Sequence, residues 1–172
     1  MSDLSYDKFR EVAKYAITRL DGAWFRAIAG KYGIPEAVDF DAEVMEDWME
    51  RMARKIKKTL KLEGKDTESV RDVLPKISEV WAQLVGFKVE ILFAEKGDMV
   101  ISRVTQCEFW ENIKKAGFEQ FAETGEMCAR AHIAGYRGLF KGAFPGLKFE
   151  FEHTKRIPEG DPCCEVIIKV IP

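Results

Sequence analysis

The chain has 172 residues, with 27 Lys plus Arg against 29 Asp plus Glu, so it carries a formal charge of −2 with both histidines neutral. That length supports one domain with its own core, and 47% apolar with 33% charged residues exclude a disordered or collagen-like chain. The near-neutral balance argues against DNA or RNA as partner, and the absence of a ~20-residue apolar run or a signal-peptide pattern gives a cytoplasmic address as the expectation.

From Phe9 the apolar residues Phe9, Val12, Ala13, Ala16, Ile17, Leu20, Trp24, Ala27 and Ile28 trace one helical face, with stop signals at Gly33 and Pro35. Asp39 and Asp41 offer N-caps for a second helix, whose stripe runs Val44, Met45, Trp48, Met49, Met52, Ala53, Ile56 and Leu60. Arg51, Arg54, Lys55, Lys57 and Lys58 sit among its polar positions and read as a solvated face. A third helix begins around Thr67, is interrupted at Pro75 and resumes through Ile77, Val80, Trp81 and Leu84 to Gly86.

After Gly86 the period changes from 3.6 to 2. Phe87, Val89, Ile91 and Phe93 alternate with other residues as a strand, residues 95–98 form a turn, and Met99 to Thr105 return antiparallel. Phe109 to Lys115 reads as a short helix closed by Gly117, and Glu126 to Lys141 as a longer one. Glycine costs about 1 kcal/mol relative to alanine inside a helix, so Gly135, Gly138 and Gly142 mark close packing or bending there. Leu147 to His153 is a strand, residues 157–162 turn, and Cys164, Val166, Ile168 and Val170 line one face of the last strand. The expectation is an α+β fold: N-terminal helices (1–86) on an antiparallel sheet of about four strands in a cysteine-bearing part (87–172), within one domain.

The chemistry-bearing residues are few. Of the four cysteines, Cys107 ends a strand, Cys128 falls in the first turn of the expected helix and Cys164 opens the last strand. A helix N-terminus stabilises a thiolate, and His132 follows Cys128 by four residues, on the same helical face. Packing as small hydrophobes is the plain alternative for free cysteines. Trp24, Trp48 and Trp81 fit a core, but Trp24 and Trp81 could also wall an apolar ligand pocket reached by His132 and Tyr136. Nucleotide-binding glycine loops, HExxH and GxSxG are absent from the sequence.

Cys107, Gly117, Cys128, Phe144-Pro145, Leu147-Lys148-Phe149, Glu152-His153-Thr154, Ile157 and Gly160-Asp161 ahead of Cys164 resemble the L-2-amino-thiazoline-4-carboxylate hydrolase family. They also resemble the neighbouring vinyl-reductase-like small-molecule-binding domains. The resemblance covers residues 105–171, and the N-terminal Leu20-Asp21-Gly22-Ala23-Trp24-Phe25 is similar to uncharacterised prokaryotic relatives. It implies a vinyl-reductase-domain-like α+β fold with a cysteine-lined site, in which Cys107, Cys128 and Cys164 match recurrent cysteines. Zinc would take these three, with His132 as the fourth ligand and His153 next in order. An iron-sulfur cluster is the other cofactor that such thiolates suit. The function so implied is a small-molecule-binding domain with a metal. The alternatives are a hydrolase of a small cyclic substrate, acting through a cysteine or a metal-bound water, and a partner-binding subunit. The partners expected are a small organic ligand and, at most, a second copy of the chain in a homodimer.

Overall fold

The computed structural model describes residues 5–62, 70–95, 99–120 and 122–171. Three helices, α1 (Tyr6–Tyr32), α2 (Ile34–Thr59) and α3 (Val70–Val85), precede the hairpin β1 (Lys88–Phe93) and β2 (Met99–Gln106). Then follow α4 (Glu108–Lys115), α5 (Ala122–Ala143), β3 (Lys148–Lys155), a 3-10 turn at Ile157–Glu159 and β4 (Cys164–Ile171). Thr67 and residues 96–98 of the expected turn lie outside the described residues.

The four strands form one antiparallel sheet in the order β1-β2-β4-β3. This is the expected α+β class, helices on a sheet. Its inward face carries Val100, Ser102 and Val104 of β2 opposite Ile168, Val166 and Cys164 of β4. The outer face is mixed: Arg103 Nε donates to Glu165 Oε2 at 2.6 Å and Lys155 Nζ lies 3.2 Å from the same oxygen, while Leu92, Ile101 and Ile167 pair across three strands beside them. A buried apolar face and an outer face carrying its charges is the pattern of an antiparallel sheet covered on one side. The core lies between: Met45, Met49 and Ala53 of α2, Val73, Leu74, Ile77 and Trp81 of α3, Leu139 and Phe140 of α5, and the inward strand residues.

Helices α2 and α5 touch at backbone distance. A Cβ built on Gly138 would stand 2.0 Å from the Glu46 carbonyl oxygen, and one on Gly142 2.3 Å from that of Glu50. The glycines of α5 therefore serve close packing.

Three local expectations need correction. Gly33, at φ 100°, ends α1 and also N-caps α2, with Pro35 in the first turn of α2. Asp39 and Asp41 are thus inside α2 and not its caps, because Pro35 opens the helix where its missing N–H costs nothing. Pro75 does not interrupt α3, since Val73, Leu74, Ile77 and Trp81 are buried on either side of it and hold the helix in register. Lys57 is not solvated: it is buried, and its Nζ donates to the Ala143 carbonyl at 2.8 Å, closing the C-terminal turn of α5.

Candidate functional site

A cavity of about 110 Å³ opens between α2, α3, α5 and the inward face of the sheet. Its apolar wall includes Met45, Met49, Trp81, Phe87, Val89, Val104, Phe109, Trp110 and Leu139. Its polar groups are Asp21, Asp41, Ser78, Ser102, His132 and Tyr136, and the three cysteines Cys107, Cys128 and Cys164 also line it. The volume is on the order of an engineered cavity that takes benzene, about 150 Å³.

The sheet register explains how the polar end forms. His153 pairs with Val166, which pairs with Ser102, so three neighbouring strands deliver a row of inward side chains. Ser102 is the one polar residue in the buried row of β2, and Tyr136 of α5 donates its hydroxyl to Ser102 Oγ at 2.5 Å. One helical turn earlier, His132 lies with its ring centroid 5.0 Å from that of Tyr136 and 4.9 Å from that of His153. His132 Nδ1 and His153 Nε2 are 3.3 Å apart. Among the described residues, His132, His153 and Cys164 place their ligand atoms within 4.8 Å of one another.

The thiols are placed by element ends. Cys107 N-caps α4, its Sγ accepting from the Trp110 backbone N–H at 3.5 Å, and Cys164 Sγ accepts from the Ile157 N–H at 3.3 Å. Cys128 is the seventh residue of α5 and not in its first turn, since α5 starts at Ala122. It is therefore beyond the helix-terminus field that would favour a thiolate. Burial pushes the Cys107 thiol up to about 12, and burial with the neighbouring thiols pushes Cys128 well above its ordinary range. Cys164 is raised too, again by burial first. All three sulfurs are thus held as neutral thiols at pH 7. Cys163 is buried but is not part of the cavity wall.

Each titratable ring is held neutral as well. His132 keeps surface toward the cavity while protein surrounds it, and burial, then the facing His153, lowers it to about 3. His153 is lowered, by burial and then by Arg156, against which backbone hydrogen bonds to Ala129 and Lys155 act. Burial lifts Tyr136 to about 12. Two neutral imidazoles with a cysteine that releases its proton on binding are ligands for a borderline-soft ion such as zinc. At 3.3 Å the two ring nitrogens share a hydrogen bond, and two nitrogens each about 2.05 Å from a tetrahedral ion would stand about as far apart.

Of the residues singled out in the sequence, Trp81, His132, Tyr136, Cys107, Cys128 and Cys164 line this cavity, but the expected three-cysteine metal set is not what the fold gathers: among the described residues the group close enough to share one ion is His132, His153 and Cys164. Trp24 is not in its wall; the ring sits 6.4 Å from that of Phe25 on α1 and hydrogen-bonds toward Asp21. The sequence reading missed Asp21 and the inward role of Asp41. The signal was present in the spacing, for Asp41, Met45 and Met49 are four apart and so share one helical face. A carboxyl on an apolar stripe marks a buried site.

The sequence model of the L-2-amino-thiazoline-4-carboxylic acid hydrolase family matches residues 10–168. No curated protein matches the chain significantly. Among solved structures, the chain is similar to a trafficking protein particle complex subunit 3 from Naegleria fowleri, covalently bound to palmitic acid. That match has 11% identity and a TM-score of 0.65, and covers 94% of this chain and 97% of the other. It is also similar to the phenol-responsive sensory domain of the transcription activator PoxR, solved with phenol, at 13% identity and a TM-score of 0.58, covering 89% of this chain and 74% of that one. At such identities these two establish the helix-on-sheet fold and nothing of chemistry. With the family match spanning nearly its whole length, the chain belongs to the L-2-amino-thiazoline-4-carboxylic acid hydrolase family.

Proposed function

We propose that this chain is a small-molecule-binding domain that encloses a ring-sized organic compound between α2, α5 and the sheet, with zinc at the edge of the same cavity. The observation that carries the reading is the cavity itself: mostly apolar walls with a few polar groups gathered at one end, the usual make-up of a ligand site. The PoxR sensory domain, which shares the fold, was solved with phenol, and the Naegleria subunit with a fatty acid, so this architecture accommodates organic guests. His132, His153 and Cys164 are the residues that would hold zinc, which leaves the fourth position to a water or to the guest. Zinc there would tie the middle of α5 to the end of β3 and the start of β4 and would present a Lewis acid to the ligand.

The test is a thermal-shift screen of the purified protein with phenol and similar single-ring compounds, followed by calorimetry. A saturable rise in Tm that Tyr136→Phe or Ala131→Leu diminishes supports the reading, whereas no shift with any ring compound at millimolar concentration overturns it.

Family membership favours a second reading, hydrolysis of a small cyclic substrate. The neutral thiols offer no standing thiolate nucleophile, so a hydrolase here would rest on zinc and the His132–His153 pair. Incubation with L-2-amino-thiazoline-4-carboxylate, followed by product detection, decides it. Turnover that His132→Ala abolishes would establish an enzyme, and its absence in the zinc-loaded protein would leave the binding role.

A further inference from the structure

We infer that Asp21 and Asp41 form a recognition point for a positively charged nitrogen, so that the compound the cavity receives is a ring-bearing amine or amidine. This rests on the small-molecule reading above and narrows it to a ligand class.

Asp41 is only 2% exposed, lines the cavity, and its Oδ1 has no hydrogen-bond partner. A buried carboxyl oxygen without a partner is costly, by roughly 1–3 kcal/mol for a polar group and more for a charged one, and on a residue of the cavity wall a donor from the guest would relieve that cost. Asp21 lines the same cavity from α1 and lies close enough that its charge adds to the burial that raises Asp41. The Trp24 indole is the partner that partly relieves Asp21. Among the described residues no lysine or arginine lines this cavity. The other polar groups of its wall are neutral hydroxyls, thiols and an imidazole, so the wall itself holds no standing cation beside the pair.

The charge pattern therefore discriminates among guests. An ammonium or amidinium group supplies several N–H donors and a positive charge, so that Asp41 gives up its proton and both carboxylates attract the guest. A hydroxyl can donate to one oxygen but supplies no charge to ionise Asp41. A hydrocarbon leaves Oδ1 unpartnered, and a carboxylate adds a negative charge beside Asp21. The walls of Trp81, Phe87, Phe109 and Trp110 supply faces on which a ring and an adjacent cation are both stabilised.

Four compounds of one shape separate these cases: benzylamine, benzyl alcohol, toluene and benzoate, each titrated into the wild-type protein by calorimetry with Tm as a second readout. The expected order is benzylamine at least tenfold tighter than benzyl alcohol, then toluene, with benzoate not binding. Asp41→Asn, nearly isosteric, should bring benzylamine to within about threefold of benzyl alcohol. If the alcohol or toluene binds as well as the amine, the inference is overturned while the cavity reading stands. If none of the four binds at millimolar concentration, both are overturned. The wild-type series decides the matter even if the variant fails to fold.

Discussion

Burial, reinforced by the charge of Asp21, raises the Asp41 carboxyl to about 8, against roughly 3.9 in an unfolded chain. Between those values the unfolded chain has released a proton that the folded chain keeps. The contribution of this group therefore makes stability fall as pH rises from about 4 to about 8, by up to about 1.4 kcal/mol per pH unit. Asp21, raised to about 6 by burial, acts in the same sense over a narrower window. Asp41→Asn removes the larger slope. In urea unfolding it should be more stable than wild type at pH 8, by a margin that vanishes near pH 4; a variant weaker at both pH values would point to a partner for the carboxylate. A second prediction concerns zinc. The protein should bind one equivalent tightly, cobalt substitution should give a thiolate charge-transfer band, and His153→Ala or Cys164→Ser should weaken binding by at least about 100-fold. Unchanged zinc content in both variants would dismiss the set. Residue types were informative here and residue positions less so. Cys107, Cys128, Cys164 and His132 were legible as chemistry-bearing, and they share a cavity wall. That His153 stands closest to His132 depends on the β3–β4 register and on the roll of α5 over the sheet, which no local spacing encodes.

At the scale of elements, the contact between α2 and α5 rests on glycines that a propensity scale marks as defects. Gly138→Ala would place a methyl group on the Glu46 carbonyl, 2.0 Å from the Cβ position, so the helices must part. The expected loss is about 3 kcal/mol or more, in the range of overpacked cores, with the cavity between them distorted. Gly30→Ala is the control. It lies inside α1, is exposed and has nothing within 4 Å of the added methyl, so it should stabilise by about 0.5–1 kcal/mol. Thermal or urea unfolding of the pair gives the comparison, and a Gly138→Ala chain as stable as wild type would refute the packing argument. The spacing of Gly135, Gly138 and Gly142 announced this contact in the sequence, since only a close approach favours glycine repeatedly inside a helix. The start of α2 was harder to see. One glycine serves both helices, so no loop composition separates them, and capping residues further on took the role that Gly33 and Pro35 perform.

For the whole molecule, the helices followed by two hairpins were enough to fix the fold class, because each hairpin is local and each helix has a sustained stripe. The pairing of β2 with β4 joins residues sixty or more apart and is decided by which faces must be buried together, so the central seam of the sheet lies beyond local reading. That seam creates the cavity, with Ser102, Val104 and Cys164 on its floor and α5 above. A dry void of about 110 Å³, at about 24 cal/mol per Å³, would cost on the order of 2.6 kcal/mol. A fold that retains such a space gives up stability for it, which is what a binding site requires and a packed core does not. Ala131, on α5 in the cavity wall and nearly buried, tests the trade. Ala131→Leu should fill part of the void and raise stability by about 1–2 kcal/mol, while the thermal shift produced by ring compounds disappears. If the variant were instead destabilised and still bound the same compounds, the space beside Ala131 would not be where the guest sits.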